Sequence, residues 1–227
     1  RVRYDGETHS PLRGGGRGRD GGGGGRGGGG GGGGNGGGIG GPGGGLKILY
    51  LNAQSILSKV NDLNATACDL KHDFILITES WCNDSIENNV LCLNDYEIIS
   101  DLRKDRFDTT NGIGGGLLVY SRKGLEILPC DKNNNFNQYC SFKVLTQNSY
   151  VNIVLVYRLP NCIKENCDKL VDLIKDAPGS TIFIGDFNYP KIDWNNLICD
   201  NDNKSLDFLN ICLDNNFSQY VDFATHK

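Results

Sequence analysis

Polar side chains follow three apolar runs of the sequence, at the points where strands are expected to leave a sheet. The segments are Leu51-Asn52-Ala53-Gln54, Ile77-Thr78-Glu79-Ser80 and Ile184-Gly185-Asp186-Phe187-Asn188. Residues at such sheet edges commonly line binding sites. Mg²⁺ binds amide and carboxylate oxygens, and it needs only one or two carboxylates because it keeps several waters. The three segments together therefore indicate a divalent-metal site, whose positive charge would attract phosphate.

Each of these residues also has an ordinary structural explanation. Asn52 suits a helix cap and Glu79 suits a solvated loop. Asp186 with Asn188 suits an Asx turn. For any one residue alone the structural explanation is favoured, whereas the recurrence of the same chemistry at three strand ends favours the metal site.

The pattern of apolar residues indicates an α/β or mixed α+β domain from Leu46 onward. Strands are predicted at 46–51, 74–78, 96–100, 116–121, 125–128, 139–145, 150–157 and 181–185. Helices are predicted from the stripe Ile56, Val60, Leu63, Ala67 and Leu70, and at 164–175 and 205–215. Because successive strands between 116 and 157 have no helix between them, a doubly wound parallel sheet is excluded. The prediction is a four-layer sandwich of two packed mixed or antiparallel sheets flanked by helices.

The glycines and the charges divide the chain at residue 45. Of 33 glycines, 25 fall between Gly14 and Gly45, and residues 1–45 carry six Arg against three acidic residues. Such a segment lacks the apolar side chains that would offset the entropy of ordering, so residues 1–45 are predicted to be disordered. A linker or translated simple repeat is favoured there over an RNA-binding Gly/Arg tract, and both stay open.

The remaining residues, 46–227, form one predicted domain with a net charge of −7, since the whole chain has −4. An acidic domain argues against tight non-specific binding to a phosphate backbone, but it is compatible with a site where a cation supplies the positive charge. The nine cysteines include no CxxC pair, which favours free thiols in a reducing, intracellular compartment. No apolar run reaches about 18 residues, so no membrane contact is predicted.

Five motifs in a fixed order resemble those of a known family. They are Leu51-Asn52-Ala53-Gln54-Ser55, Ile77-Thr78-Glu79-Ser80-Trp81, Asp105-Arg106 before Gly114-Gly115-Gly116, Val156-Tyr157-Arg158-Leu159-Pro160, and Gly185-Asp186-Phe187-Asn188. The set resembles the endonuclease domain of non-LTR retrotransposons, within the endonuclease/exonuclease/phosphatase superfamily. The fold of that superfamily resembles deoxyribonuclease I and the abasic-site endonucleases. The resemblance covers residues 46–227.

The resemblance implies a role for each matching residue. Glu79 would bind Mg²⁺, with Mn²⁺ as an alternative, and Asn52 would lie beside it as a metal or phosphate ligand. Asp186 would orient or deprotonate the attacking water, and Asn188 would hold the phosphate. Tyr157 would contact the scissile phosphate, although an aromatic residue that closes a core strand explains it equally well. Three further residues would line the site: Gln54, Arg158 and Thr225.

Two other motif segments have structural explanations. Asp105 and Arg106 suit a solvated loop pair. The glycines 114–116 are followed by a β-like run rather than by a helix, so they predict strand-edge or bulge geometry and not a phosphate loop.

Members of this family continue into a further aspartate strand and a Ser-Asp-His motif, which leads us to expect a domain truncated at its C-terminus. The chain has three histidines, His9, His72 and His226. His72 is expected at the surface near the end of the first helix, and His226 matches the segment before the aspartate strand rather than the catalytic histidine. The chain starts at Arg1 and has no methionine, so a piece of a longer reading frame is expected.

The function implied by the resemblance is an Mg²⁺-dependent endonuclease that nicks target DNA and leaves a 3′ hydroxyl for a reverse transcriptase encoded downstream. DNA would be the main partner, with RNA as a partner of the Gly/Arg segment. Two alternatives stay open. One is a phosphatase or phospholipid phosphodiesterase of the same superfamily, and the other is an inactive mobile-element fragment with an RNA-binding tail.

Overall fold

The computed structural model describes residues 3–4, 45–106, 114–130, 136–146 and 149–221. The strands are β1 Arg3–Tyr4, β2 Lys47–Asn52, β3 Phe74–Thr78, β4 Tyr96–Ile98, β5 Leu117–Arg122, β6 Ile127–Pro129, β7 Tyr139–Leu145, β8 Tyr150–Tyr157, β9 Thr181–Asp186, β10 Ile192–Asp193 and β11 Ile198–Cys199. The α-helices are α1 Val60–Leu70, α2 Lys164–Lys175 and α3 Asn203–Asp214. Thr225 and residues 5–44 lie outside the described residues, so the predicted disorder of 1–45 stays a prediction.

Two mixed sheets form the centre of the molecule. The first sheet has the order β1-β2-β3-β5-β4, and the second has the order β6-β7-β8-β9. In the first sheet β2 runs parallel to β3, and in the second β8 runs parallel to β9. The antiparallel pairs β3 with β5 and β7 with β8 complete the centre of each sheet. The prediction of mixed sheets without a doubly wound arrangement is confirmed.

Alternation of side chains along the strands produces the layers. In β3, Phe74 and Leu76 face the second sheet, whereas Ile75 and Ile77 face outward onto α1. In β8, Ile153 and Leu155 likewise face the first sheet, and the residues between them face α2 and α3. The layers are thus α1, the first sheet, the second sheet, and α2 with α3. The predicted four-layer sandwich is confirmed.

The same alternation directs three predicted site residues into the space between the sheets. Asn52 is two residues beyond Tyr50, which packs on the core between the sheets. Asp186 is two residues beyond Ile184, and Tyr157 two beyond Leu155, and both of those residues belong to the same core. Because successive inward residues lie on one face of a strand, Asn52, Asp186 and Tyr157 meet at one end of the sandwich.

The largest departure from the predicted elements concerns the first helix and the residues after it. The helix begins at Val60 rather than near Ile56, because Gln54 and Ser55 have positive φ angles of 43° and 80° that no helix allows. His72 is only 3% exposed, so the prediction that it lies at the surface is wrong. The chain reverses through Lys71, whose φ is 50°, and this turn brings His72 under Tyr96, which donates to its carbonyl at 2.7 Å.

Gly185 lies where β8 and β9 approach most closely. Its φ is 146°, and a Cβ added there would lie 1.9 Å from the carbonyl oxygen of Val156. Only glycine fits this position, which is one residue before Asp186 and sets the approach of that carboxylate.

We expect Gly185→Ala to lower the free energy of unfolding by about 3 kcal/mol or more, because the new methyl group would force the β8–β9 pairing apart. Gly124→Ala is the matched control, since Gly124 also has a positive φ, of 87°, but open space around it. That change should cost only about 1 kcal/mol. Urea unfolding of both variants measures the difference, and equal losses would contradict the close approach.

Candidate active site

The candidate site lies at the carboxyl ends of the parallel strand pairs β2–β3 and β8–β9. Asn52 is paired in register with Thr78, and Tyr157 is paired with Asp186. Glu79 is the first residue after β3. Parallel neighbours end at the same edge of a sheet, so the first sheet contributes Asn52 and Glu79 to one opening and the second contributes Tyr157 and Asp186.

The side-chain amide of Asn52 joins carboxylates from both sheets. Its Nδ2 donates to Oε1 of Glu79 at 3.1 Å and to Oδ2 of Asp186 at 3.0 Å. The sequence predicted that these residues would be neighbours, and the structure brings them together. The helix-cap explanation of Asn52 does not apply, because α1 begins at Val60 after Lys59.

Backbone hydrogen bonds hold the loop of Glu79 on both sides. The carbonyl of Glu79 accepts from the amide of Ser55 at 3.0 Å, and the amide of Trp81 donates to Gly115 at 3.1 Å. Glu79 itself has a φ of 51°, which an L-residue adopts only when its surroundings require it. The indole Nε1 of Trp81 donates to Oε2 of Glu79 at 3.4 Å. The carboxylate is therefore oriented by groups from two directions.

The side chain of Lys59 contacts the backbone of the loop between β2 and α1. Its ammonium group donates to the carbonyls of Ala53, Gln54 and Ser55, with distances of 3.3 Å to Gln54 and 3.4 Å to Ser55. This contact fixes the residues that follow Asn52. The side chain of Gln54 is exposed at the edge of the site.

Tyr157 belongs both to the hydrophobic core between the sheets and to the candidate active site. It is 3% exposed and belongs to the core between the sheets. Burial raises the pKa of its hydroxyl, and the negative charge of Glu79 together with a hydrogen bond to that carboxylate raises the pKa further. The phenol therefore stays protonated at neutral pH and can donate a hydrogen bond.

Asp186 and Asn188 form a turn directly after β9. The amide of Asn188 donates to Oδ1 of Asp186 at 3.2 Å, and Asn188 has a φ of 51°. This is the Asx-type contact that the sequence allowed, and it coexists with the bond from Asn52 to the other carboxylate oxygen. The pKa of Asp186 is raised above its usual value, because burial raises it by more than the hydrogen bonds from Asn52 and Asn188 lower it.

Arg158 fastens that turn to the end of β8. One guanidinium nitrogen donates to the carbonyl of Asn188 at 2.8 Å, and Nδ2 of Asn188 donates to the carbonyl of Arg158 at 2.6 Å. The side chain of Asn188 also forms a hydrogen bond that lowers the pKa of Asp186, so its amide nitrogen contacts both the end of β8 and the candidate base. Arg158 is 4% exposed, and its guanidinium lies 4.0 Å from the ring centre of Tyr189. It is thus a buried support of the site rather than a solvated side chain.

Glycines 114–116 lead into β5 with positive φ angles between 76° and 92°. A Cβ on Gly116 would lie 2.3 Å from the hydroxyl oxygen of Ser80. The amide of Gly116 donates to Oε1 of Gln138 at 3.0 Å. The three glycines lie at the edge of the strand, as the sequence indicated, and Gly116 in addition permits a close approach to Ser80 in the loop of Glu79.

The structure also involves residues to which the sequence assigned no role. Trp81 and Lys59 orient the loops of Glu79 and Asn52, as described above. Gln138 bonds Gly116 through its side chain and Tyr157 through its carbonyl, at 2.9 Å. Trp81 belongs to the motif that contains Glu79, so the sequence offered a reason to place it at the site. No motif contains Lys59 or Gln138, so nothing in the sequence indicated their roles. Asp105 pairs with Arg103 at 2.6 Å, outside this cluster of contacts.

The donor set fits a hard divalent cation. Among the described residues no group of three or more His, Cys, Asp or Glu side chains could hold a metal ion. The cluster at the strand ends instead combines the two carboxylates of Glu79 and Asp186 with an amide. In the described part of the chain, Oδ1 of Asn52 is buried without a hydrogen-bond partner. A buried acceptor without a partner is costly, and a cation would satisfy it. Two carboxylates and an amide oxygen leave room for the waters that Mg²⁺ retains.

Comparison with known proteins identifies a matching family model for the C-terminal third of the chain. Residues 151–226 match the family model described as endonuclease-reverse transcriptase. No curated protein matches the chain in sequence. None of the helices described here is long and apolar enough to cross a membrane.

Two of the three solved structures compared below, those with TM-scores above 0.5, share the fold of this chain at low sequence identity. The AP endonuclease LMAP from Leishmania major has a TM-score of 0.54 and 15% identity, over 74% of this chain and 66% of that one. The 3′ phosphatase NExo from Neisseria, bound to product DNA hairpin, has a TM-score of 0.53 and 13% identity, over 74% and 70%. The endonuclease domain of TRAS1, a telomere-specific non-LTR retrotransposon, has a TM-score of 0.48 and 16% identity, over 74% and 71%. The endonuclease/exonuclease/phosphatase fold predicted from the motifs is confirmed, and the family match and fold support a nuclease or phosphodiesterase.

We expect Asn52→Asp to lower the free energy of unfolding by about 3 kcal/mol at neutral pH without divalent ions, because it removes the donor between two carboxylates and adds a third negative charge. Asn52→Ala loses the donor alone and should cost about 1 to 2 kcal/mol. Urea unfolding in EDTA measures both. The loss in Asn52→Asp should shrink as the pH falls, since protonated carboxyls no longer repel each other. Wild-type stability of Asn52→Ala would contradict the bridging role of the amide, and equal losses in the two variants at neutral pH would contradict the repulsion between the carboxylates.

Proposed function

We propose that this protein, which has the endonuclease/exonuclease/phosphatase fold, is an Mg²⁺-dependent endonuclease that nicks DNA and leaves a 3′ hydroxyl. The observation that carries the proposal is the bridge from Asn52 to Glu79 and Asp186, with a buried amide oxygen beside two carboxylates. This arrangement gathers oxygen ligands and a candidate base at the opening between the sheets.

Glu79 and Asn52 would hold the cation, with Mn²⁺ as a substitute for Mg²⁺. When bound there, the cation supplies positive charge that neutralises the non-bridging oxygens of the phosphate. A bound cation would also offset the repulsion between the carboxylates of Glu79 and Asp186. Without the cation, the side-chain amide of Asn52 offsets that repulsion.

Asp186 accepts a proton from the attacking water, whose oxygen forms the new bond to phosphorus. The bond from phosphorus to the 3′ oxygen breaks, and the leaving oxygen takes a proton from solvent. In the complex with DNA, the Tyr157 hydroxyl would turn from Glu79, and the side-chain amide of Asn188 from Asp186, so that both donate to the non-bridging oxygens as negative charge develops. Arg158 keeps Asn188 in place through the two hydrogen bonds between them.

The endonuclease-reverse transcriptase match supports a role in retrotransposition, in which a reverse transcriptase extends the 3′ hydroxyl. The Gly/Arg segment would bind the RNA template in that role. The nine cysteines are all free, which suits action in the reducing cytoplasm and nucleus. Thr225 would line the site, as the motif resemblance implies.

Plasmid nicking tests the proposal directly. Supercoiled plasmid should be converted to the open circle with Mg²⁺ and not with EDTA, and Glu79→Ala and Asp186→Ala should each lower the rate by about 10²- to 10⁴-fold. Glu97→Ala is the control, because it removes an exposed carboxylate on β4. Release of inorganic phosphate from a phosphomonoester without nicking would instead favour the phosphatase alternative.

Metal binding provides a second readout that is independent of catalysis. Millimolar Mg²⁺ should raise the melting temperature of the wild-type chain and of Glu97→Ala, because a ligand that binds only the folded state stabilises it. The shift should disappear in Glu79→Ala. A wild-type melting temperature that does not respond to Mg²⁺ or Mn²⁺ would contradict the proposed metal site.

A further inference from the structure

A cavity of about 440 Å³ opens beside the turn that carries Asn188. Its walls come from the end of β8, the segment after β9 and the first turn of α3. The lining includes Arg158, Asn188 and Tyr189 together with Lys191, Asp202 and Lys204. Asn188 belongs both to this lining and to the candidate active site, so the cavity adjoins the site.

The cavity is positively charged in a protein whose net charge is −4. Three of its lining residues are cationic, Arg158, Lys191 and Lys204, against the single carboxylate of Asp202. That carboxylate caps α3, since it accepts from the backbone amide of Ser205 at 3.1 Å and also from the Ser205 hydroxyl. The surplus charge of the cavity suits an anion.

Two polar atoms of the lining residues have no hydrogen-bond partner in the described part of the chain. Among the residues that the structure describes, Nε of Arg158 and the hydroxyl of Tyr189 are buried without hydrogen-bond partners. Lys204 lies in the first turn of α3, where the positive end of the helix dipole disfavours a cation, and its ammonium group donates to the carbonyl of Cys162 at 3.1 Å. An anion in the cavity would lie beside the guanidinium of Arg158 and offset the cost of placing Lys204 there.

The aromatic ring at the cavity is not available to stack on a base. One face of Tyr189 stacks on Phe208, with ring centres 4.3 Å apart and an interplanar angle of 19°. The guanidinium of Arg158 lies 4.0 Å from the centre of the same ring. With Tyr189 engaged in this way, its ring is not free to stack on a base, and the cationic groups and hydrogen-bond donors of the cavity suit a phosphate.

We propose that the cavity binds a backbone phosphate of the DNA strand next to the scissile phosphate. The proposal rests on the endonuclease function, and Asn188 connects the two positions. Such a contact fixes the register of the strand and carries no base information. It also gives an acidic domain a local means of holding DNA.

The test measures DNA binding without cleavage. Fluorescence anisotropy of a labelled duplex in EDTA, over a series of KCl concentrations, should give a Kd about tenfold weaker for the Lys191→Ala/Lys204→Ala double variant than for wild type. The slope of log K against log salt should become shallower by roughly 0.9 for each lost phosphate contact. Lys175→Ala is the matched control, since Lys175 is exposed at the far end of α2, about 16 Å along the helix from its start.

A double variant that matches Lys175→Ala in both Kd and salt slope would overturn the proposal. If the double variant instead loses stabilisation by inorganic phosphate but keeps the wild-type Kd for DNA, the cavity takes a free phosphate and the DNA assignment is wrong. Plasmid nicking separates the two proposals. If the wild-type chain nicks plasmid and the double variant binds DNA with the wild-type Kd, the endonuclease proposal holds and the cavity proposal fails. If the double variant binds DNA more weakly and the wild-type chain does not nick plasmid, the cavity proposal is supported and the endonuclease proposal is contradicted.

Discussion

The contact of one amide with two carboxylates is the interaction on which the rest of this site depends. Asn52 leaves the first sheet and Asp186 leaves the second, and the 3.0 Å bond between them is where the two sheets meet at the open end. Glu79, bonded to the same nitrogen, brings a second negative charge into the same space. Two carboxylates placed this close repel each other, so their proximity is maintained only by a donor or a cation between them.

The surroundings of this contact show how the fold maintains it. The described residues include ten non-glycine positions with positive φ, and five of them lie in or directly after the three site segments: Gln54, Ser55, Glu79, Trp81 and Asn188. Such conformations cost about 1 kcal/mol or more each. The cost is offset by backbone hydrogen bonds that continue the β2–β3 pairing into the loops, by Lys59 on three carbonyls, and by Arg158 on Asn188. Strain is thus concentrated at the strand ends, where oriented ligands are required.

Much of this arrangement could be predicted from the sequence. The strand Phe74–Thr78, the pair Tyr139–Leu145 and Tyr150–Tyr157, and the helix Lys164–Lys175 agree with prediction at both ends, because each has a continuous apolar pattern between clear turn residues. Alternation along those strands also determines which polar residue faces inward. The burial of His72 and the pairing of β1 with β2 could not be predicted, since both depend on contacts between distant segments. The amide bridge and the support of Asn188 by Arg158 are also long-range contacts, and motif spacing specifies only that these residues are near each other.

The most direct measurement of the central claim is anomalous diffraction from crystals of this protein grown with Mn²⁺. The account predicts a peak at the opening between the sheets, about 2.1 Å from a carboxylate oxygen of Glu79 and within coordination distance of Oδ1 of Asn52. Absence of that peak, with the amide of Asn52 still donating to both carboxylates in the presence of Mn²⁺, would contradict it.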